Sequence, residues 1–169
     1  MKIDLPLTTA DAKRIGSKQG VVTVCIGLVI AQLIMIFLFS PTKNFVNKFF
    51  WFADVGFKLN IFIGVFIMLV SGYFFGQMAG VQILIKRRNS VLIGLLCGLA
   101  MLLTTAFFSG WTGFFQEGLR SVGTNSSRFE DYIYKPFVWI SFGGLIPSML
   151  VGIWCGAQIK RSGQRYSIQ

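Results

Sequence analysis

The chain reads as an all-α integral membrane protein. It has four transmembrane helices, both termini on the cytoplasmic side, and an interfacial amphipathic helix between helices 1 and 2. Three observations predict this. Charged residues vanish from four long stretches. Small residues recur at spacing four along most of those stretches. The basic residues collect on alternate connections, as in a chain that crosses a bilayer repeatedly.

Of the 169 residues, 54% are hydrophobic, and the mean hydropathy is +0.67. No charge falls between Lys18 and Lys43, Lys58 and Lys86, Arg88 and Glu117, or Lys135 and Lys160, gaps of 24, 27, 28 and 24 residues. A spanning helix needs about 20. Buried helices of a soluble protein would keep a polar face, and these stretches have none. The expected organisation is one four-helix domain: a cytoplasmic tail over 1–19, spans over about 20–39, 60–85, 90–114 and 136–159, and a second tail over 160–169.

The first span runs from Gly20 to Phe39 and stops at Ser40-Pro41, where proline cannot continue a helix. It shows no small-residue row. Gln32, in its middle, is a candidate polar lining group, although an interhelical hydrogen bond worth about 1 kcal/mol accounts for it as well. Between residues 42 and 58, Asn44, Asn47, Lys48, Asp54 and Lys58 recur at helical spacing beside Phe45, Phe49, Phe50 and Phe52. That pattern predicts a helix lying in the interface and anchoring the spans on either side.

The second span carries Gly72, Gly76 and Gly80, which share an arc of roughly 80° because each residue turns the helix by about 100°. A face without side chains lets a neighbouring helix come close. The span must end at Lys86-Arg87-Arg88, since three such charges at the bilayer centre cost roughly 7 to 10 kcal/mol. The turn at Arg88-Asn89-Ser90 is short, so spans two and three form an antiparallel hairpin. Gly94 and Gly98 give the third span its own small face, expected to meet the glycine row of the second. Further along lie Thr104 and Thr105, candidate lining groups. The fourth span has Gly144, Ser148, Gly152 and Gly156 in one row and Pro147 within it, where a kink is expected.

Residues 76–83 and 152–159 share the pattern G-x-x-x-G-small-Q-I, each copy just ahead of a basic cluster. Two tandem hairpins would be related by a pseudo-twofold axis along the membrane normal. The first and third spans, read alone, show no convincing match. Gln82 and Gln158 fall at matching depths, suited to capping helix ends or bonding headgroups.

The net charge of +10 divides unevenly. Lys2, Lys13, Arg14, Lys18, Lys86, Arg87, Arg88, Lys160, Arg161 and Arg165 stand on one side with Asp4 and Asp11, giving +8, against +2 on the other. Lys86, Arg87, Arg88, Lys160 and Arg161 are thus the topology-setting residues, and they place that side in the cytoplasm. Such flanks call for no nucleic acid. There is no histidine, and Cys25, Cys97 and Cys155 all fall inside spans. No nucleotide-binding, zinc-protease or nucleophile-elbow motif occurs. No catalytic residue, metal or cofactor is expected.

The expected function is that of a non-enzymatic multi-pass protein of a bacterial inner (plasma) membrane. It would be an accessory or assembly subunit, contacting other membrane subunits or its own copies through glycine-faced helices. The alternative is a small-solute transporter or channel acting as a homo-oligomer.

Overall fold

A computed structural model of the protein describes residues 7–39, 58–115 and 129–166. Its helices are α1 (Thr9–Phe39), α2 (Lys58–Gly80), α3 (Ser90–Gly113) and α4 (Lys135–Tyr166). A π-helical turn, Val81–Ile85, prolongs α2, and another, Glu130–Tyr134, leads into α4. All four helices are long and apolar enough to cross a membrane, the make-up of an all-α multi-pass membrane protein. Most of the expected interfacial helix (42–57), and the polar connection over 117–128, lie outside the described residues.

Two helix ends differ from the sequence expectation. Residues 9–19, expected as part of a tail, are helical. The cause is a reciprocal cap: the Thr8 hydroxyl donates to Asp11 Oδ2 at 2.5 Å, and the Asp11 backbone N–H donates back to Thr8 Oγ1 at 3.2 Å. This satisfies donors that a helix start otherwise leaves open. At the other terminus, α4 continues through the expected tail to Tyr166 and is one helix through Pro147. Lys160, Arg161 and Arg165 are exposed, so the added turns bury no charge.

The α2–α3 turn is short and tightly bonded. Lys86 N–H donates to Val81 O at 3.1 Å and Arg88 N–H to Gln82 O at 3.0 Å. Between them Arg87 takes φ of 50°, the left-handed conformation that closes helices and usually belongs to glycine. Asn89 then caps α3, its Oδ1 accepting from Val91 N–H at 3.0 Å.

The four helices form a ring in chain order. α1 packs most closely on α2 and α3 on α4; α2–α3 and α1–α4 contacts complete the ring. Each neighbouring pair is antiparallel, because contacts rise along one helix as they fall along the other. Inside the ring, Ala79 and Ile83 from α2 and its π turn meet Cys155 and Ile159 from α4 as a buried apolar cluster. Ile159 has no exposed surface.

Candidate functional site: two glycine seams and a basic end

At the glycine rows, backbone meets backbone directly. A Cβ on Gly16 would lie 2.9 Å from the Gly80 Cα, and one on Gly80 would lie 3.0 Å from the Gly16 Cα. Gly20 and Gly76 are paired the same way, at 3.0 and 3.1 Å. Added carbons at these positions would also strike backbone carbonyls of the facing helix, those of Gly76, Gly72, Ala12 and Gly16. Ala12, Gly16 and Gly20 on α1 and Gly72, Gly76 and Gly80 on α2 therefore make a seam of backbone on backbone. A second seam joins α3 to α4. Gly94 pairs with Gly156 at 3.0 and 3.1 Å, and Gly98 with Gly152 at 3.0 and 3.2 Å.

The partnering corrects the sequence expectation. The rows of α2 and α3 were expected to face one another across the short turn; instead each fits a different helix. The partner of the α2 row is the start of α1, where Lys13, Arg14 and Lys18 interleave with the small residues. Those charges make the segment resemble a tail. A helix presents them on one face and Ala12, Gly16 and Gly20 on another, and the small face is buried.

With the seams in register the two hairpins are quasi-equivalent. Gly16 corresponds to Gly94 and Gly20 to Gly98, just as Gly80 corresponds to Gly156 and Gly76 to Gly152. Ala12-x-x-Ile15-Gly16-x-x-x-Gly20 then aligns with Ser90-x-x-Ile93-Gly94-x-x-x-Gly98, the match between first and third spans that unaligned sequence does not reveal. The buried cluster obeys the same relation: Ala79 pairs with Cys155 and Ile83 with Ile159.

The candidate polar groups do not converge on one site. Gln82 and Gln158 sit half-buried at the basic end, and the Gln82 Oε1 is enclosed without a hydrogen-bond partner. Thr104 and Thr105 lie roughly 21 Å along α3 from its start, at 1.5 Å per residue. Thr104 Oγ1 donates to the Ala100 carbonyl of its own helix at 2.8 Å, whereas Thr105 Oγ1 is buried with no partner. Gln32 is half-buried on α1. Sequence reading missed Trp111 Nε1 and Ser141 Oγ, also buried without partners. It missed as well two bonds between helices. Ser109 Oγ donates to Asn60 Oδ1 at 2.9 Å, and Gln19 Nε2 donates to Ser162 Oγ at 3.0 Å. Ser109 and Ser141, isolated polar residues in apolar runs, carried a readable signal, whereas Gln19 and Ser162 stand among charged residues that hide them.

At the basic end, Lys13, Arg14, Lys18, Lys86, Arg87, Arg88, Lys160, Arg161 and Arg165 are all exposed. Among the described residues none of them is in an ion pair, in contrast to Lys135, which bonds Asp131 at 2.5 Å near the opposite end. Asp11, the one described acid at the basic end, is engaged in capping α1. No group of three metal-ligating side chains occurs among the described residues.

The arrangement defines a class, an all-α protein of four helices long and apolar enough to cross a membrane, closed by two glycine seams. Comparison with protein-family models, with curated proteins and with solved structures finds no match.

Proposed function

We propose that the protein acts without catalysis, as an accessory or assembly subunit of a bacterial inner-membrane complex, with both termini in the cytoplasm. The observation that carries this is the apolar cluster Ala79, Ile83, Cys155 and Ile159 where α2 and α4 meet inside the ring. Such an apolar plug between the hairpins favours a non-conducting role over a polar path at that level. The described spans also bring no acidic or basic side chain into the interior to relay a proton or hold an ion. The glycine rows, which first motivated this reading, are occupied within the bundle, so the contact with a partner is reassigned. It falls to exposed surface such as the α4 face of Trp139, Phe142 and Ile146. Aromatic side chains on an exposed face are good anchors for an interface.

Native mass spectrometry of the protein, extracted gently from its own membrane at endogenous level, tests the proposal. A foreign subunit at fixed stoichiometry is expected. A monomer without partners would sink the proposal.

The transporter reading keeps one specific support. The two quasi-equivalent hairpins have the parallel-repeat relation found in some transporters, and Thr105, Trp111 and Ser141 leave polar atoms buried without partners away from the plug. Solute flux in liposomes at rates above empty vesicles would favour it.

A further inference from the structure

Quasi-equivalence allows the two halves of the molecule to be compared position by position. Where α1 carries Lys13, Arg14 and Lys18, the corresponding residues of α3 are Val91, Leu92 and Leu96. These three apolar side chains are 47%, 55% and 52% exposed, so packing does not dictate residue type there. The seams set both triplets at equal depth. One outward face is therefore apolar, as lipid contact requires, while its counterpart holds three cations.

The neighbour of that face adds more charge. α1 packs on the end of α4, where Gln19 donates to Ser162 at 3.0 Å. Lys18 adjoins Gln19, Arg161 adjoins Ser162, and Arg165 follows one turn later. The Gln19–Ser162 bond thus sets cations from two helices at one level. All of them are exposed, none is paired among the described residues, and the nearby carboxylate of Asp11 is held by Thr8.

We propose that the α1–α4 groove at the basic end is a binding site for the phosphate of an anionic phospholipid headgroup, with Lys18, Arg161 and Arg165 as its main ligands and Arg14 flanking. Arginine suits this role because its planar fork binds phosphate oxygens in pairs. Basic clefts between helix ends at the interface level are where such headgroups bind. The corresponding α2–α3 groove has Lys86, Arg87 and Arg88 only on its turn and apolar residues on α3, so it lacks the second wall. The site is independent of the subunit assignment above.

The test uses purified full-length protein in mild detergent, with thermal unfolding and native mass spectrometry as readouts. Phosphatidylglycerol is expected to raise the melting temperature and to remain bound as discrete adducts, and phosphatidylcholine to do neither. The triple variant K18Q/R161Q/R165Q is expected to bind phosphatidylglycerol on the order of 100-fold more weakly, at about fivefold per charge near the surface. The matched variant K86Q/R87Q/R88Q is expected to keep most of the affinity. Equal stabilisation by phosphatidylcholine, or equal loss in both variants, would overturn the site. Inorganic phosphate at millimolar concentration separates the two sources of the anion: no shift supports a lipid, and a shift matching that of phosphatidylglycerol overturns the lipid assignment. If the triple variant fails to fold, the single variants R161Q and R165Q carry the same contrast against R88Q, with about fivefold weaker phosphatidylglycerol binding expected for the first two alone.

Discussion

Gly16 on α1 and Gly80 on α2 lie against each other's backbone, so that a Cβ on either would come within 2.9 to 3.0 Å of the other's Cα. Gly94 and Gly156 repeat the relation between α3 and α4. Lipid supplies no hydrophobic force between helices, and association there depends on close van der Waals contact. Two backbones in contact gain that attraction along their whole crossing. The added carbon has nowhere to go, since its neighbours are backbone atoms rather than movable side chains.

Substitution within a seam should therefore cost far more than substitution on an open face. Gly76→Ala and Gly152→Ala are each expected to destabilise by about 1 to 3 kcal/mol through overpacking, despite the better helix propensity of alanine. Gly143 and Gly64 have nothing within 4 Å of an added Cβ. Gly143→Ala should be neutral or stabilising by up to about 1 kcal/mol. Reversible unfolding in mixed micelles measures both, and equal effects at Gly76 and Gly143 would contradict the seam.

Core truncation offers a second contrast. Ile159 is wholly enclosed, while Ile146 is 69% exposed on the same helix. Ile159→Ala is expected to cost about 2 to 5 kcal/mol, from lost contacts and the cavity left behind. Ile146→Ala should cost about 0.5 kcal/mol or less, as expected away from packed positions. The same unfolding assay reads the difference.

The four spans were legible because the charge gaps are long and lipid imposes one simple rule on composition. The glycines of α2, α3 and α4 were legible for the same reason, lying at spacing four in apolar surroundings. Their partners were not. Spacing defines a face but not which helix covers it, and the short α2–α3 turn pointed to the wrong pairing. The α1 face was hidden because Lys13, Arg14 and Lys18 gave its segment the composition of a tail. One signal there was readable and passed over: Thr8-x-x-Asp11 is a capping pattern that announces a helix start. The Ser109–Asn60 and Gln19–Ser162 bonds join residues 49 and 143 apart in the chain, and no local pattern marks such pairs.

The cap carries its own prediction. Thr8→Ala removes both side-chain bonds to Asp11 and should cost about 1 kcal/mol. The loss should be local. Amide hydrogen exchange over residues 9 to 12 is expected to speed up several-fold while the seam amides near Gly20 stay protected. Unchanged exchange over 9–12 would show that packing on α2 alone holds the first turn.

Arg87 holds a left-handed backbone without the freedom glycine would bring. A Cβ in that conformation costs roughly 1 to 2 kcal/mol, so Arg87→Gly should stabilise the turn by about 1 kcal/mol, less the greater entropy of glycine in the unfolded chain. Arg87→Ala keeps the strain and serves as the control. Thermal unfolding should rank Gly above both Arg and Ala, and equal melting of Gly and Ala variants would remove the strain from the account.

The proposed orientation rests on the same cations. Nine basic residues without an ion pair among the described residues stand at one end of the ring, and the first turn of α4 at the other end pairs its lysine with Asp131. On the proposed orientation, the positive-inside rule would keep the first end in the cytoplasm. A reporter active only in the cytoplasm, fused after Gln169, is therefore expected to be active, and the same reporter inserted within residues 40–57 to be silent. A reporter active only outside should give the reverse. Removing Lys86, Arg87 and Arg88 together leaves Lys13, Arg14, Lys18, Lys160, Arg161 and Arg165 on the same side, so the orientation should survive that change. Removing the charges of α1 and α4 as well should produce mixed orientations. A C-terminal fusion active only outside the cytoplasm in the unaltered protein would invert the assignment, and the anionic headgroups of the proposed groove would then have to come from the outer leaflet.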